Sequence, residues 1–425
     1  MLKQKTYGIG MVLAIAGLYF FSYFQRVAVP GAIFNDIQSE FRMLASEVTR
    51  LSAIYLFLYA GMQPFAGYMA DRWGGIKVTL VSGVLFVIGS VLFPLAIGKW
   101  GLYGSRALVG LGASTMYLCM VKETDQYFGG KNFAPVFGLL CVLGSCGGLV
   151  GTRPFRMLVE HMGWRYSCMV VAAATGAVLI LAGLLMLQVK RETAVKTEAN
   201  FLQSVAGVFK NRLNYPVLGT IPLCFGTYFS IQATIGPKFI QDVCGLSSLA
   251  ASNYTFAMML SMLTVMLCSG FASKLLGSRR KVFLVFNSVS TMVAMLTIVL
   301  GIVFKLPPAV FLCAFVLSAA AAGCTPVNAS FMKELNPPGS VAVSIGVFNT
   351  VTYAMVALMA QGVGRVLDLF NATAVVADKV MIYPPRAYLA LFGILLGLSI
   401  FAFIASLHSR ETKGRNLCAT RPGAG

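Results

Sequence analysis

The chain has 425 residues, of which 58% are hydrophobic and only 11% are charged. So few charged side chains cannot cover a protein of this length in water, and the composition therefore excludes a soluble globular protein and indicates a lipid environment. The formal net charge of +19 does not indicate a nucleic-acid partner, because Lys and Arg lie in alternate loops and do not form one water-facing patch.

Long apolar runs predict about twelve transmembrane helices, each of roughly 18 or more mostly apolar residues, which is enough to cross a hydrocarbon core. The runs begin near Tyr7, Leu51, Ile76, Gly101, Phe133, Arg165, Tyr215, Leu249, Val282, Pro308, Ser340 and Pro384. Because the runs are continuously apolar, they favour an all-α membrane protein over a β-barrel. The first run follows Lys3 and Lys5, as in a signal peptide. It continues to about Phe34 without an obvious cleavage site and is interpreted as a retained helix.

The longest polar interruption separates the first six predicted helices from the last six. The predicted domains are an N-terminal six-helix bundle at 1–188, a cytoplasmic linker at 189–214, a C-terminal six-helix bundle at 215–408 and a cytoplasmic tail at 409–425. Lys and Arg are more frequent in the loops on the side of the termini, which predicts that both termini are cytoplasmic. Within the linker, Phe201, Val205 and Phe209 recur at helical spacing. The linker is therefore either an amphipathic surface helix or a disordered tether.

The break between the second and third runs carries the most specific motif of the chain, G-x-x-x-D-R-x-G-G-x-K. Its fixed positions are Gly67, Asp71, Arg72, Gly74, Gly75 and Lys77. We expect Gly67 to let two helices approach closely, and Gly74 with Gly75 to permit a tight turn.

This loop resembles the one between the second and third helices of major facilitator superfamily transporters. The resemblance implies two six-helix bundles that work by alternating access. It also implies that Asp71, Arg72 and Lys77 form part of an inside gate. Glu123 and Asp125, at the predicted cytoplasmic end of the fourth helix, are the expected acidic partners of the two basic residues.

The second half contains a decayed copy of the motif loop. Gly270 and Gly277 keep the spacing of Gly67 and Gly74, whereas Lys274 stands at the position of Asp71. We therefore expect the first half to carry the acidic role of the gate.

Arg26 is the strongest candidate for substrate binding. It lies in the middle of the first predicted helix, where an arginine costs roughly 2.5 to 3.5 kcal/mol and normally faces a wet cavity or a partner. Tyr23 and Arg26 form a Y-x-x-R stretch that resembles the first helix of organic-anion and sugar-phosphate permeases, and the resemblance implies that Arg26 reaches the substrate cavity. The alternative is a structural arginine, bonded to carbonyls or to a neighbouring helix.

Further candidates are weaker. Arg106, in the fourth helix, either contributes to the substrate site, snorkels to the outer interface or pairs with Asp36. Lys238 is interpreted as an interfacial lysine. Candidate substrate contacts in the second half are Tyr228, Gln232, Asn349 and Tyr353.

The expected substrate is a small organic anion. No Asp or Glu lies deep within a predicted helix, so the cavity is expected to be electropositive, and a guanidinium suits a carboxylate or phosphate ester. Val27 and Gln232 stand where sugar-phosphate permeases carry basic residues, so carboxylates are at least as well favoured as phosphate esters. Transport is secondary active or facilitative: proton symport, uniport and exchange with a counter-anion all remain open.

Two alternatives belong to other functional classes. One is a drug/proton antiporter, although the Gly-Pro pair of that class is missing, and the other is a non-transporting membrane sensor with the same fold. No nucleophile triad, phosphate-binding loop or zinc spacing indicates an enzyme, and no cofactor, metal or nucleic acid is expected. The expected protein is a monomer in the plasma membrane, which is the inner membrane of a bacterium.

Overall fold

The computed structural model describes residues 2–128, 133–188, 201–337, 341–377 and 380–418. The chain divides into two compact units. Unit 1 consists of Met1–Met43 and Arg50–Glu198, and unit 2 consists of Leu44–Thr49 and Ala199–Gly425. The boundary after Glu198 falls inside the predicted linker. Residues 189–200 of that linker lie outside the described residues.

Unit 1 is built from helices. They are α1 (Leu2–Ala28), α2 (Phe34–Phe41), α3 (Ala45–Trp73), α4 (Gly75–Leu95), α5 (Lys99–Ala113), α6 (Met116–Phe128), α7 (Phe133–Val150) and α8 (Arg153–Met186). The first turn of α3, up to Thr49, is grouped with unit 2. Two glycines with positive φ separate helical segments: Gly74 (φ 87°) lies between α3 and α4, and Gly163 (φ 79°) breaks α8 into two parts. Glycine suits both positions because side chains with a Cβ rarely adopt this conformation.

Unit 2 begins within the predicted linker. Its helices are α9 (Phe201–Lys210), α10 (Tyr215–Ser230), α11 (Gly236–Cys244), α12 (Ser248–Leu275), α13 (Arg280–Val303), α14 (Pro308–Ala322), α15 (Thr325–Leu335), α16 (Val341–Asp368) and α17 (Pro385–Leu407). The linker residues Val205 and Val208 of α9 pack into a core with α10 and α15, whereas Phe209 is exposed; the side chain of Phe201 lies outside the described residues.

Two features of unit 2 depart from regular helix. A π-helical segment, Ile231–Ile235, joins α10 to α11, and the Gly236 N–H bonds to the Ile231 carbonyl across it. Pro237 follows directly and has no N–H with which to continue the α-helical ladder, which favours the wider turn. The prediction of an all-α chain also missed a short antiparallel hairpin, β1 (Val375–Ala377) with β2 (Val380–Ile382). It follows α16 and adds two strands to an otherwise helical unit.

Eight helices among the described residues are long and apolar enough to cross a membrane, compared with about twelve expected from the sequence. They are Gly8–Ala28, Gly75–Leu95, Arg153–Met186, Ser248–Leu275, Arg280–Val303, Pro308–Leu335, Val343–Asp368 and Pro385–Leu407. The other four predicted runs correspond to α3, α5 with α6, α7, and α10 with α11. These are interrupted by polar residues, by helix breaks or by the π-helical segment, and Val136–Val150 is apolar but shorter.

Glycines allow α7 to pack closely on α1. A Cβ placed at Gly147 would overlap the Phe20 carbonyl, and one at Gly151 would lie 3.1 Å from the Phe24 carbonyl oxygen. Such small residues let two helix backbones approach without side chains between them. The contact places α7 directly beside the part of α1 that precedes Arg26.

We predict that Gly147→Ala lowers the melting temperature of the purified protein, because the added methyl must push α7 away from α1. Overpacking of this kind destabilises proteins by about 1–3 kcal/mol. Gly138→Ala, on the same helix, is the matched control because no described atom lies within 4 Å of a Cβ there. Equal melting temperatures of the two variants would contradict the predicted close contact.

Candidate functional site

Arg26 lies in a cluster of tyrosine rings inside unit 1. The side chain is buried, and its Cζ atom lies 4.4 Å from the ring centroid of Tyr59, 5.2 Å from that of Tyr23 and 5.9 Å from that of Tyr55. Electron-rich ring faces attract a guanidinium and offset part of its desolvation. The predicted association of Tyr23 with Arg26 is therefore a direct contact. The sequence analysis missed Tyr55 and Tyr59, although their i, i+4 spacing places both on one face of α3.

Arg106 is held by the chain itself. Its Nε donates to the Leu51 carbonyl, Nη2 to the Val29 carbonyl, and Nη1 to both the carbonyl and the side-chain oxygen of Gln25, all at 3.3 Å. The guanidinium also lies 4.7 Å from the ring centroid of Tyr55. These contacts support a structural role that joins α5 to α1 and α3.

Asp36 does not pair with Arg106. Its carboxylate accepts a hydrogen bond of 2.6 Å from Nη1 of Arg156, on the first part of α8. The expected Arg106–Asp36 pair is thus corrected: the four carbonyl and amide acceptors around Arg106 already hold its guanidinium.

Hydrogen bonds fix the α1 turn that carries Arg26. The Tyr55 hydroxyl donates to the Ser22 carbonyl at 3.2 Å, and the Gln25 amide reaches the Ser90 hydroxyl on α4 at 3.5 Å. Two buried guanidiniums therefore flank the ring of Tyr55. Among the described residues of unit 1, Glu123 is the only buried carboxylate, and it binds elsewhere. Two buried cations therefore lie close to Tyr55.

The candidate residues of unit 2 form two pairs. Tyr228 and Gln232 are four residues apart, and both are buried; the Gln232 amide donates to the Thr255 carbonyl at 3.1 Å. Asn349 and Tyr353 are four residues apart on α16 and half-buried. The ring of Phe225 joins the two tyrosines, with centroid distances of 5.8 Å to Tyr228 and 6.0 Å to Tyr353. The structure therefore brings Tyr228 and Tyr353 into one aromatic cluster.

The motif loop of unit 1 is closed by two adjacent residues of α6. Glu123 accepts a hydrogen bond of 3.1 Å from the Ile76 N–H at the start of α4, and Lys122 donates at 2.6 Å to the Ala70 carbonyl near the end of α3. Gly75 lies directly against Glu123, and a Cβ there would overlap the carboxylate. An acid at a helix N-terminus and a base near a C-terminus each oppose the local partial charge.

Several expectations for this loop need correction. Arg72 is exposed and bonds to the Tyr68 hydroxyl at 2.6 Å, and Lys77 is exposed, so neither is the partner of Glu123. The Glu123 carboxylate instead binds at the start of α4, where the N–H groups have no acceptor within their own helix. No described atom lies within 4 Å of a Cβ at Gly67, so the expected close helix approach is not found there. The side chain of Asp71 lies outside the described residues.

In the second copy of the loop, other carboxylates bind the start of the helix that follows. Gly277 has φ 65°, as Gly74 has positive φ, and Arg280 forms a two-pronged ion pair with Glu334 of α15 at 2.9 and 3.0 Å. The N–H of Arg280 donates to Glu411, which follows α17, at 2.7 Å. Carboxylates from α15 and from the segment after α17 therefore bind the second loop, and the acidic role of the first half in the gate stays a prediction.

Lys238 is completely buried and is not an interfacial lysine. Its ammonium donates to Asp242 at 3.0 Å and to the Met381 carbonyl at 2.6 Å. The other Asp242 oxygen accepts from the Tyr388 hydroxyl at 2.6 Å and from the Tyr383 N–H at 3.1 Å. This network ties α11 to the hairpin and to α17. In the sequence alone, the only indication of this ion pair is the i, i+4 spacing of Lys238 and Asp242.

A family model decides the classification. The model described as Major Facilitator Superfamily matches residues 15–361. The chain belongs to this superfamily. It is a multi-pass membrane transporter and not an enzyme, which confirms the resemblance found in the motif loop.

Among similar proteins, the uncharacterized transporter YybO of Bacillus subtilis is 23% identical over 57% of this chain and 59% of its own length. The probable sulfoacetate transporter SauU of Cupriavidus necator is 24% identical over 41% of this chain and 40% of its own. Sugar phosphate exchanger 3 of Bos taurus is 32% identical over 32% of this chain and 29% of its own. The matches therefore span less than two thirds of each of these relatives.

A solved structure of similar fold covers nearly the whole chain. It is a bacterial homologue of the human lysosomal transporter Spinster, in an inward-facing and unoccupied conformation. It has a TM-score of 0.75 and 15% sequence identity, and the match covers 99% of both chains. At this level of identity the likeness shows the fold alone.

We predict that Glu123→Ala destabilises this transporter by about 1–2 kcal/mol, as for other lost helix N-terminal caps, because the Ile76 N–H loses its acceptor. Thermal unfolding of the purified protein measures the change. Asp125→Ala is the matched control because Asp125 is exposed two residues further along α6. If Asp125→Ala lowers the melting temperature as much as Glu123→Ala, the loss of negative charge, and not the loss of the helix cap, causes the effect.

We predict that Lys238→Met destabilises the transporter by about 3–5 kcal/mol, because it leaves the Asp242 carboxylate buried without its cation. Combining it with Asp242→Asn removes the stranded charge, so the double variant should be more stable than Lys238→Met alone. Thermal unfolding of the two single variants and the double variant completes the cycle. Additive losses would contradict direct coupling of the two charges.

Proposed function

We propose that this transporter moves a small organic anion, a carboxylate or a phosphate ester, and that Arg26 binds the anionic group. The observation that carries the proposal is the buried Arg26 guanidinium against the rings of Tyr23, Tyr55 and Tyr59. A charge at such a site within a membrane helix is functional by default.

The contrast with Arg106 supports this assignment. Arg106 makes four hydrogen bonds to acceptors of the chain, whereas two nitrogens of the Arg26 guanidinium, Nε and Nη2, are buried and donate to no acceptor among the described residues. A ring face leaves the edge of a guanidinium available to a planar anion, and a carboxylate or phosphate binds that edge through two parallel hydrogen bonds. Arg106 then adds positive potential without contacting the substrate.

Two relatives agree with this substrate class. SauU is named for sulfoacetate and the exchanger of Bos taurus for sugar phosphates, and both substrates are anions. We propose Tyr228, Gln232, Asn349 and Tyr353 as further substrate contacts in unit 2.

We further propose that the chain crosses the plasma membrane twelve times, with both termini in the cytoplasm, and works by alternating access. The four helical stretches beyond the eight apolar spans are then also membrane spans, because each lies at one of the twelve apolar runs of the sequence. We propose Asp71, Arg72 and Lys77 as parts of the inside gate, on the resemblance of the motif loop. Lys122 and Glu123 hold the two helix ends of that loop.

We predict that Arg26→Ala strongly reduces stabilisation of the purified protein by its anionic substrate. A thermal-shift screen of small carboxylates, sulfonates and phosphate esters identifies the ligand, because a molecule that binds the folded state raises the melting temperature. Loss of hydrogen bonds to a charged group weakens binding by roughly tenfold to a hundredfold. Arg26→Lys keeps the charge but loses the two-pronged geometry, so its affinity should be intermediate.

Arg153→Ala is the matched control, because it removes an exposed arginine of the same unit. Flux of the identified anion into liposomes, with and without a proton gradient, then separates symport from uniport or exchange. Wild-type binding and flux by Arg26→Ala would remove Arg26 from the site, and stabilisation only by cationic drugs would favour an antiporter.

A further inference from the structure

A cavity of about 460 Å³ lies at the start of α13 in unit 2. It is lined by Arg279, Lys281, Val282, Val285, Glu411 and Lys413. Three of these side chains are cationic and one is anionic, so the cavity is rich in positive charge beside an apolar wall.

The single acid of the cavity is already satisfied. The Glu411 carboxylate accepts backbone hydrogen bonds from Arg280 at 2.7 Å, Thr412 at 3.0 Å, and Lys281 and Lys413 at 3.2 Å each. Four N–H dipoles therefore compensate its charge. The same bonds hold the segment after α17 in place, so that Lys413 stays beside the cavity.

The three cations lack compensating acids. Within the described residues, none of Arg279, Lys281 and Lys413 has a carboxylate within ion-pair distance. Lys281 donates one hydrogen bond to the Leu407 carbonyl at 2.6 Å, which fixes its ammonium at the cavity, and two further N–H donors remain. The cavity thus presents oriented donors and uncompensated positive charge to an anion.

Apolar tracks lead away from the cavity along two helices that pack together, α13 and α17. Exposed apolar side chains along α13 are Val282, Phe286, Val293, Leu296 and Leu300. Those near the end of α17 are Phe401, Ile404 and Leu407. Because this is a membrane protein, such tracks face lipid tails.

We propose that this cavity binds the phosphate of an anionic phospholipid whose acyl chains lie along α13 and α17. The basic side chains of the cavity suit the phosphate of the headgroup. Val282 and Val285 connect the cavity to the apolar tracks along the two helices. A free phosphate would use the cations but not the tracks. The site lies in unit 2 and needs only a membrane boundary, so it is independent of substrate binding by Arg26.

The test compares phosphatidylglycerol with phosphatidylcholine of identical acyl chains, added to the full-length protein in detergent. Native mass spectrometry counts bound lipid, and thermal unfolding measures stabilisation. Wild type should prefer phosphatidylglycerol. The variant Arg279→Gln/Lys413→Gln should lose about fivefold in affinity per removed charge, since a basic residue near an anionic lipid surface contributes about 1 kcal/mol. This double variant leaves Lys281 and Glu411 unchanged.

The matched control is Lys274→Gln/Lys333→Gln, which removes two exposed charges outside the cavity. Lys274 lies in the last turn of α12, and Lys333 lies in the last turn of α15. This control should keep the lipid preference. Equal binding of both lipids by wild type would overturn the proposal, as would an equal loss in the control. Inorganic phosphate that matches the stabilisation by phosphatidylglycerol would also overturn it, because the acyl tracks would then contribute nothing. Arg26→Ala should bind the lipid like wild type, which separates this test from that of substrate binding.

Discussion

Charge inside a low-dielectric helix bundle must be compensated locally, and the described parts of both units are organised around this constraint. Arg106 meets it with carbonyl and amide acceptors, Lys238 with Asp242, and Arg280 with Glu334. Each solution links several elements: Arg106 bonds to α1 and α3, Arg280 to α15, and the Lys238–Asp242 pair within α11 bonds to the hairpin and to α17. Arg26 lies against tyrosine rings, whose electron-rich faces offset part of the cost of burying its charge.

Much of the architecture follows from the sequence because lipid restricts the possibilities. A backbone without water must satisfy its own hydrogen bonds, so long apolar runs predict helices, and eight of them meet the length and composition needed to cross a membrane. The motif loop predicts the superfamily, and its Gly74 has the positive φ expected of a tight turn. The close contact of α7 with α1 depends on Gly147 and Gly151, which lie four residues apart on one face of the helix.

The choice of partners could not be predicted in the same way. Glu123 binds the Ile76 N–H and Asp36 binds Arg156, because the relevant neighbours are set by how helices cross and not by their order. The burial of Lys238 depends on a hairpin that follows α16, about 140 residues later in the chain. For the candidate site around Arg26, Tyr23 could be named from the first helix alone, whereas Tyr55 and Tyr59 depend on the packing of α3 on α1.

The two motif loops also differ in when they can be completed. The cap of α4 comes from a residue 47 positions further along, so this loop can close while synthesis is still within the first half of the chain. The start of α13 receives its carboxylate from Glu411, 131 positions later. During synthesis, α13 must therefore enter the membrane with its first N–H groups bonded to water or lipid headgroups, and it exchanges these bonds for Glu411 only after α17 has been made. The loop of unit 1 can therefore be completed during synthesis of the first half, whereas the loop of unit 2 is completed only after the last helix has been made.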